Sequence, residues 1–115
     1  MILDDEESSL YLLAEALQRV DYEIIRCSDG RLAIEQMKRQ LVDLLITDLV
    51  MPEQDGLETI KAARKLHPQL KILAVTAYGG DNYLHLARLM GANKTLAKPI
   101  EADTLQATVK AMLES

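Results

Sequence analysis

The chain has no tryptophan, no phenylalanine and four tyrosines among its 115 residues, so stacked-base or sugar-binding aromatic platforms have little material. Its one cysteine, Cys27, cannot close an internal disulfide, and no Cys/His spacing of a zinc site accompanies it. A reducing compartment and a small buried thiol are expected. Basic charge is in deficit: 13 Lys and Arg against 18 Asp and Glu leave a net charge of -5, which argues against a surface for nucleic-acid phosphates. No apolar run approaches the ~20 residues of a membrane span, and the first residues lack the regions of a signal peptide. A cytoplasmic location, with no membrane contact, is expected.

What is present suits a packed globule. Hydrophobic residues make up 49% and charged ones 27%, and the length fits one domain over residues 1–115. Short β-branched or leucine-rich runs alternate with longer amphipathic ones, the pattern of strands alternating with helices. Strands are predicted at Met1–Leu3, Tyr22–Cys27, Asp43–Thr47, Lys71–Thr76 and Lys94–Ala97. The nearly continuous apolar character of Leu44–Ile46 and Ile72–Val75 suits strands covered on both faces, as in a parallel sheet.

Helical faces are marked by Leu10, Leu13, Leu17 and Val20; by Ala33, Met37 and Leu41; and by Leu57, Ile60 and Ala63. Tyr83 or Leu84 with Ala87 and Met90, then Leu105, Val109 and Met112, mark a fourth and fifth. Met37, Met51, Met90 and Met112 read as core filling. Turns fall at Asp29-Gly30, Gln54-Asp55-Gly56, His67-Pro68, Gly79-Gly80-Asp81 and Lys98-Pro99, with Asp81 a candidate N-cap. There is no internal repeat, linker or charge block. The chain reads as an α/β protein, one (βα)5 unit with right-handed crossovers.

An open parallel α/β sheet collects its ligand beyond the carboxyl ends of its strands. The residues there are Asp4 and Asp5, Asp48, Thr76 and Lys98. Taken singly, each is as well explained as a turn residue, a helix cap or a surface side chain. Placed together, three neighbouring carboxylates repel one another unless a cation sits among them, and oxygen-only donors favour Mg2+. Lys98 adds a point charge and Thr76 a hydroxyl, which suit phosphoryl oxygens, and Asp48 can itself be a nucleophile. His67 and His85 read as a helix-end cation and a solvent-facing residue, without a catalytic role.

Asp4-Asp5-Glu6, the run Asp48-Leu49-Val50-Met51-Pro52 leading to Asp55-Gly56, Thr76-Ala77 and Lys98-Pro99 together resemble the receiver domain of two-component response regulators. The resemblance covers essentially the whole chain. It implies a doubly wound five-stranded parallel sheet of order 2-1-3-4-5, the flavodoxin-like receiver fold. It also implies that Asp48 accepts a phosphoryl group from a sensor histidine kinase or phosphotransfer protein. Asp5, Asp48 and the backbone carbonyl of Val50 would ligate Mg2+ directly, and Asp4 largely through water. Lys98 would pair with the phosphoryl oxygens and Thr76 would move to hydrogen-bond them, shifting a two-state equilibrium that controls an output domain or effector. Ala77 would leave the phosphoryl group room, and the Lys98-Pro99 bond is often cis in relatives. Homodimerisation, where it occurs, would use the fourth helix, fifth strand and fifth helix. Such a domain is not an enzyme beyond catalysing its own phosphorylation and dephosphorylation.

Two departures stand out. Relatives usually carry tyrosine or phenylalanine three residues before the lysine, where this chain has Thr95; Tyr78 and Tyr83 are the less favoured substitutes. Only Met1, Ile2 and Leu3 precede the acidic pair, so the first strand is expected to be short, either for want of preceding residues or because the domain tolerates it.

Rival readings are weaker. A haloacid-dehalogenase-like phosphatase needs a general-acid aspartate two residues after the nucleophile, where Val50 stands. A flavodoxin-like cofactor site needs a Ser/Thr- and Gly-rich loop where acidic residues stand, and Walker and GxGxxG motifs are absent. The alternative from another class is a receiver-shaped interaction module that is never phosphorylated, with Thr95 in its favour.

Overall fold

Apolar runs need a neighbour on each side, and the computed structural model shows where these runs find them. It describes residues 1–51, 54–77 and 80–115, with the side chains at 54, 55, 80 and 81 left aside. In chain order the elements are β1 Ile2–Leu3, α1 Glu7–Gln18, β2 Arg26–Cys27, α2 Gly30–Arg39, β3 Leu44–Asp48 and β4 Val50–Met51. They continue as β5 Gln54–Asp55, α3 Gly56–Leu66, β6 Lys71–Thr76, α4 Gly80–Met90, β7 Lys94–Ala97 and α5 Ala102–Glu114.

The main sheet is parallel, ordered β2-β1-β3-β6-β7. Counting its strands alone, that is the expected order 2-1-3-4-5. Side chains alternate between its faces. Ile72 and Ala74 of β6 pack with Ala33, Met37, Ile60, Ala63 and Ala87 of α2, α3 and α4. Leu73 and Val75 pack with Leu13, Leu17, Leu105, Val109 and Met112 of α1 and α5. Both faces are covered, so the central strands need apolar residues at every position.

Several expectations are corrected. The second strand is Arg26–Cys27 rather than Tyr22–Cys27, because β1 offers it only Ile2 and Leu3 as ladder partners. Asp48 is the last residue of β3, paired with Val75, rather than the residue after it. The antiparallel hairpin β4–β5 was not anticipated. Leu41 is 88% exposed because α2 has already ended, and Val20 and Met90 are also exposed instead of filling the core.

Asp29, read as turn punctuation, caps α2, its Oδ1 accepting from the amides of Arg31 at 2.8 Å and Leu32 at 3.4 Å. Since α4 starts at Gly80, Asp81 lies in its first turn and not at the N-cap. Pro52, Tyr78 and Gly79, and the side chains of Asp55 and Asp81, fall outside the described residues, and with them Tyr78 as a substitute aromatic. Cys27 is buried as expected, and His85 is exposed. His67 lies just past the end of α3, the helix-end position expected of it, with Nε2 2.9 Å from the Met37 carbonyl oxygen of α2.

Candidate functional site

β1, β3, β6 and β7 all end on one side of the sheet, and each ends in a residue with chemistry. Asp4 follows β1 and is fully buried. Its Oδ1 accepts from the Glu6 amide at 3.0 Å, and its Oδ2 from Lys98 Nζ at 2.8 Å. Asp48 ends β3. Its Oδ1 accepts from the Leu49 amide at 2.8 Å, and its Oδ2 lies 3.5 Å from the same Lys98 Nζ. Thr76 ends β6 and is buried. Lys98 follows β7, its amide donating to the Thr76 carbonyl at 2.9 Å, and the Lys98-Pro99 bond is cis.

Asp5 is exposed at the rim, yet one carboxylate oxygen from each of Asp4, Asp5 and Asp48 lies within 4.8 Å of the others. The sequence-predicted side chains Asp4, Asp5, Asp48 and Lys98 are thus brought together, with Thr76 at the end of the adjoining strand. Val50 opens β4 two residues past Asp48.

Burial pushes the Asp48 carboxyl above its ordinary value. The Asp4 charge adds to that push, while Lys98 and the Leu49 and Val50 amides oppose it. Burial pulls Lys98 the other way, but Asp4 and Asp48 together outweigh it and hold the ammonium above its ordinary value. The cluster therefore contains more negative charge than its lysine neutralises. Its oxygen-only donor set fits a hard divalent cation.

The backbone beneath Asp48 is held tightly. Thr47 Oγ1 donates to the Asp48 carbonyl at 2.9 Å, and the Gly56 amide to the Leu49 carbonyl at 3.0 Å. A Cβ on Gly56 would meet the Asp48 carbonyl oxygen and Leu49 Cα, both at 2.5 Å. Sequence reasoning treated Gly56 as turn punctuation and missed this role; the signal available was its place in the spacing from Asp48. Thr95, on β7, pairs with Ala74 and is partly buried.

Sheet order, site residues and their spacing define a receiver, and the chain belongs to that family: the response regulator receiver domain matches residues 1–110. It is thereby homologous to phosphorylatable regulators of two-component signalling. Over 113 residues it is 34% identical to Transcriptional regulatory protein ZraR of Escherichia coli strain K12, covering 98% of this chain and 26% of that protein. The chain thus spans about a quarter of that relative. The structure matches that of a putative response regulator from Chloroflexus aurantiacus with TM-score 0.93 and 34% identity, over 99% of this chain and 95% of that one. It also matches the beryllofluoride-activated NtrC4 receiver domain dimer with TM-score 0.92 and 26% identity, over 98% and 93% of the two chains. Receivers are phosphoryl-accepting regulators and not conventional enzymes. Among the described residues, no helix is long and apolar enough to cross a membrane.

Proposed function

We propose that residues 1–115 form one receiver unit in which Asp48 accepts a phosphoryl group from a phosphohistidine on a sensor histidine kinase or phosphotransfer protein. The observation that carries this reading is the position of Lys98 Nζ, 2.8 Å from Asp4 and 3.5 Å from Asp48, within a cluster of three carboxylates. An Asp48 carboxylate oxygen attacks phosphorus, the phosphorus–nitrogen bond breaks, and the departing imidazole takes up a proton, leaving an acyl phosphate. Lys98 turns from its carboxylate partners to the phosphoryl oxygens, and the Thr76 hydroxyl donates to them. Ala77 leaves that space open.

Asp5, Asp48 and the Val50 carbonyl would hold Mg2+ directly, with Asp4 acting through water. When bound, the ion offsets negative charge on the carboxylates and the incoming phosphoryl group. With Val50 where a phosphatase has its general acid, the domain accelerates only its own phosphorylation and dephosphorylation. The phosphorylated form controls an output domain or effector, and these partners place the protein in the cytoplasm. Exposed Leu86, Leu89 and Met90 on α4 support homodimerisation across α4, β7 and α5, as does the dimeric state of the NtrC4 relative.

Intact-protein mass spectrometry after incubation with acetyl phosphate tests the acceptor assignment. The expected outcome is a Mg2+-dependent gain of one phosphoryl mass that Asp48→Asn abolishes. Thr95 favours a second reading, an interaction module that is never phosphorylated. No gain from acetyl phosphate or a phosphohistidine donor, with the protein shown folded, would establish that reading instead.

A further inference from the structure

β3 outruns β1, with five residues against two, and ahead of Ile2 the sheet opens on a cavity of about 430 Å³. The ladder stops at Met1, whose amino group donates to the Leu44 carbonyl at 2.8 Å and whose carbonyl accepts from the Ile46 amide at 2.9 Å. Ile2 pairs with Ile46 on one side and Arg26 on the other. Two places earlier in that register stand Leu44 and Ile24, and both line the cavity, which takes the place of a strand between them. The Leu44 amide lies on the same side of β3 as its carbonyl, so it faces this slot.

The slot has apolar walls on both faces of the sheet. On the face that Ile2 shares with α1 and α5 stand Leu17, Val109 and Leu113, and on the other stand Ile25 and Val42. Leu41, 88% exposed, and Leu113, 36% exposed, leave apolar surface open at the mouth. The rim is acidic. Asp21, Glu23 and Asp43 are exposed there, none has a salt bridge among the described residues, and no lysine or arginine lines the cavity. The Met1 ammonium is the one cationic group in the lining, and burial pulls it down to about 6, so at neutral pH the rim stays negative.

We propose that this slot is a docking site for an extended segment of a partner protein, lying between Ile24 and Leu44 parallel to β1, with apolar residues at consecutive places and lysine or arginine at its amino end. A backbone amide on one wall with apolar side chains above and below is what an extended chain meets inside a parallel sheet, and burial on both faces calls for consecutive apolar residues. The carboxyl end of the segment points toward Met1, and its amino end leaves past Asp21, Glu23 and Asp43. The slot is at the amino end of β3 and Asp48 at its carboxyl end, so the assignment does not depend on the acceptor reading.

Acetyl-Lys-Lys-Ile-Val-Ile-amide, titrated into the full chain, is the probe. At saturation, hydrogen exchange of the Leu44 amide should slow tenfold or more and the melting temperature should rise, whereas acetyl-Lys-Lys-Gly-Ser-Gly-amide should do neither. Glu23→Gln with Asp43→Asn, both exposed positions, should leave the melting temperature of the free protein unchanged and weaken peptide binding about tenfold at low salt. Undiminished binding to that variant removes the charge complementarity and overturns the basic partner. Unchanged Leu44 exchange at millimolar peptide overturns the slot itself. Hexanol giving the same protection and melting shift marks a site for small apolar molecules, and a dimer in sedimentation that already protects Leu44 gives the slot to a second copy; either result overturns the proposal.

Discussion

The two ends of β6 each carry a polar centre, and the two are built on opposite plans. At its amino end the Arg64 guanidinium spreads its donors over neutral acceptors, the Gly91 and Pro68 carbonyls and the Asn93 amide oxygen. Nothing there calls for a further ligand. At its carboxyl end Lys98 faces Asp4 and Asp48 with Asp5 beside them, and burial drives the Asp48 carboxyl up. That centre is short of positive charge, and under the proposed function this shortage is what a cation and a phosphoryl group would fill. A polar cluster that serves the fold is saturated; one that serves chemistry is left unbalanced.

The two glycines that back these centres give the largest contrast. In Gly56→Ala the new Cβ would press on backbone alone, 2.5 Å from the Asp48 carbonyl oxygen and 2.7 Å from the Leu49 carbonyl oxygen. Neither can move without displacing β3, so a loss of about 4 kcal/mol or outright unfolding is expected in urea titrations. In Gly91→Ala the nearest atoms belong to the Arg64 side chain at 3.1 Å, which can give. The strain of positive φ remains, and about 2 kcal/mol is expected. Equal losses would break the claim that the reactive end is the more rigidly founded one.

Removing the lysine sharpens the contrast next. Lys98→Met leaves the buried Asp4 carboxylate and the Asp48 carboxylate without their shared ammonium. Since Lys98 is among the influences that lower the Asp48 pKa, its loss raises that value further. The native state then holds a proton that the unfolded state releases, and stability falls as pH rises toward neutrality. About 2 kcal/mol is expected at pH 7, recovered on acidification and by millimolar Mg2+. Denaturant midpoints across pH, with and without Mg2+, measure it. A loss unaffected by either would show that Lys98 is a structural tie only.

The carboxyl-end centre was legible from sequence and the amino-end centre was not. Asp4, Asp48, Thr76 and Lys98 stand where apolar runs stop, and a parallel sheet gathers such positions by geometry alone. The strand order followed from resemblance, and the two apolar faces from periodicity. Arg64 carries no comparable mark. A basic residue in the last turn of an amphipathic helix has the same signature whether it is solvated or clamped, and its partners are set by two connections, Gly91 and Asn93 between α4 and β7 and Pro68 between α3 and β6. The short first strand was expected from the three residues before the acidic pair, but the length of β2 and the hairpin β4–β5 escaped for a related reason: ladder partners decide them, and residue type does not. Leu41 and Met90 show the limit of counting apolar spacing past the point where a helix ends or leaves the core.

The smallest effect tests the imbalance itself. Burial and the Asp4 charge raise the folded-state pKa of Asp48, whereas the unfolded chain keeps the ordinary carboxylate value. Between those values the native protein binds the additional proton, so the contribution of Asp48 is complete below the ordinary carboxylate range and is lost as pH rises through the folded value. At pH 7 the ionised carboxylate is thus a net cost, and Asp48→Asn removes it while keeping an oxygen for the Leu49 amide that Oδ1 now accepts from. Thermal melts in Mg2+-free buffer at pH 7 should find the variant more stable by about 1 kcal/mol, with the gap closing on acidification below the carboxylate range. A stabilised Asp48→Asn that also refuses a phosphoryl group would show that the fold bears a standing cost for its reactive carboxylate. A destabilised one would mean that Lys98 and the surrounding amides already balance Asp48, and that the two ends of β6 follow one plan.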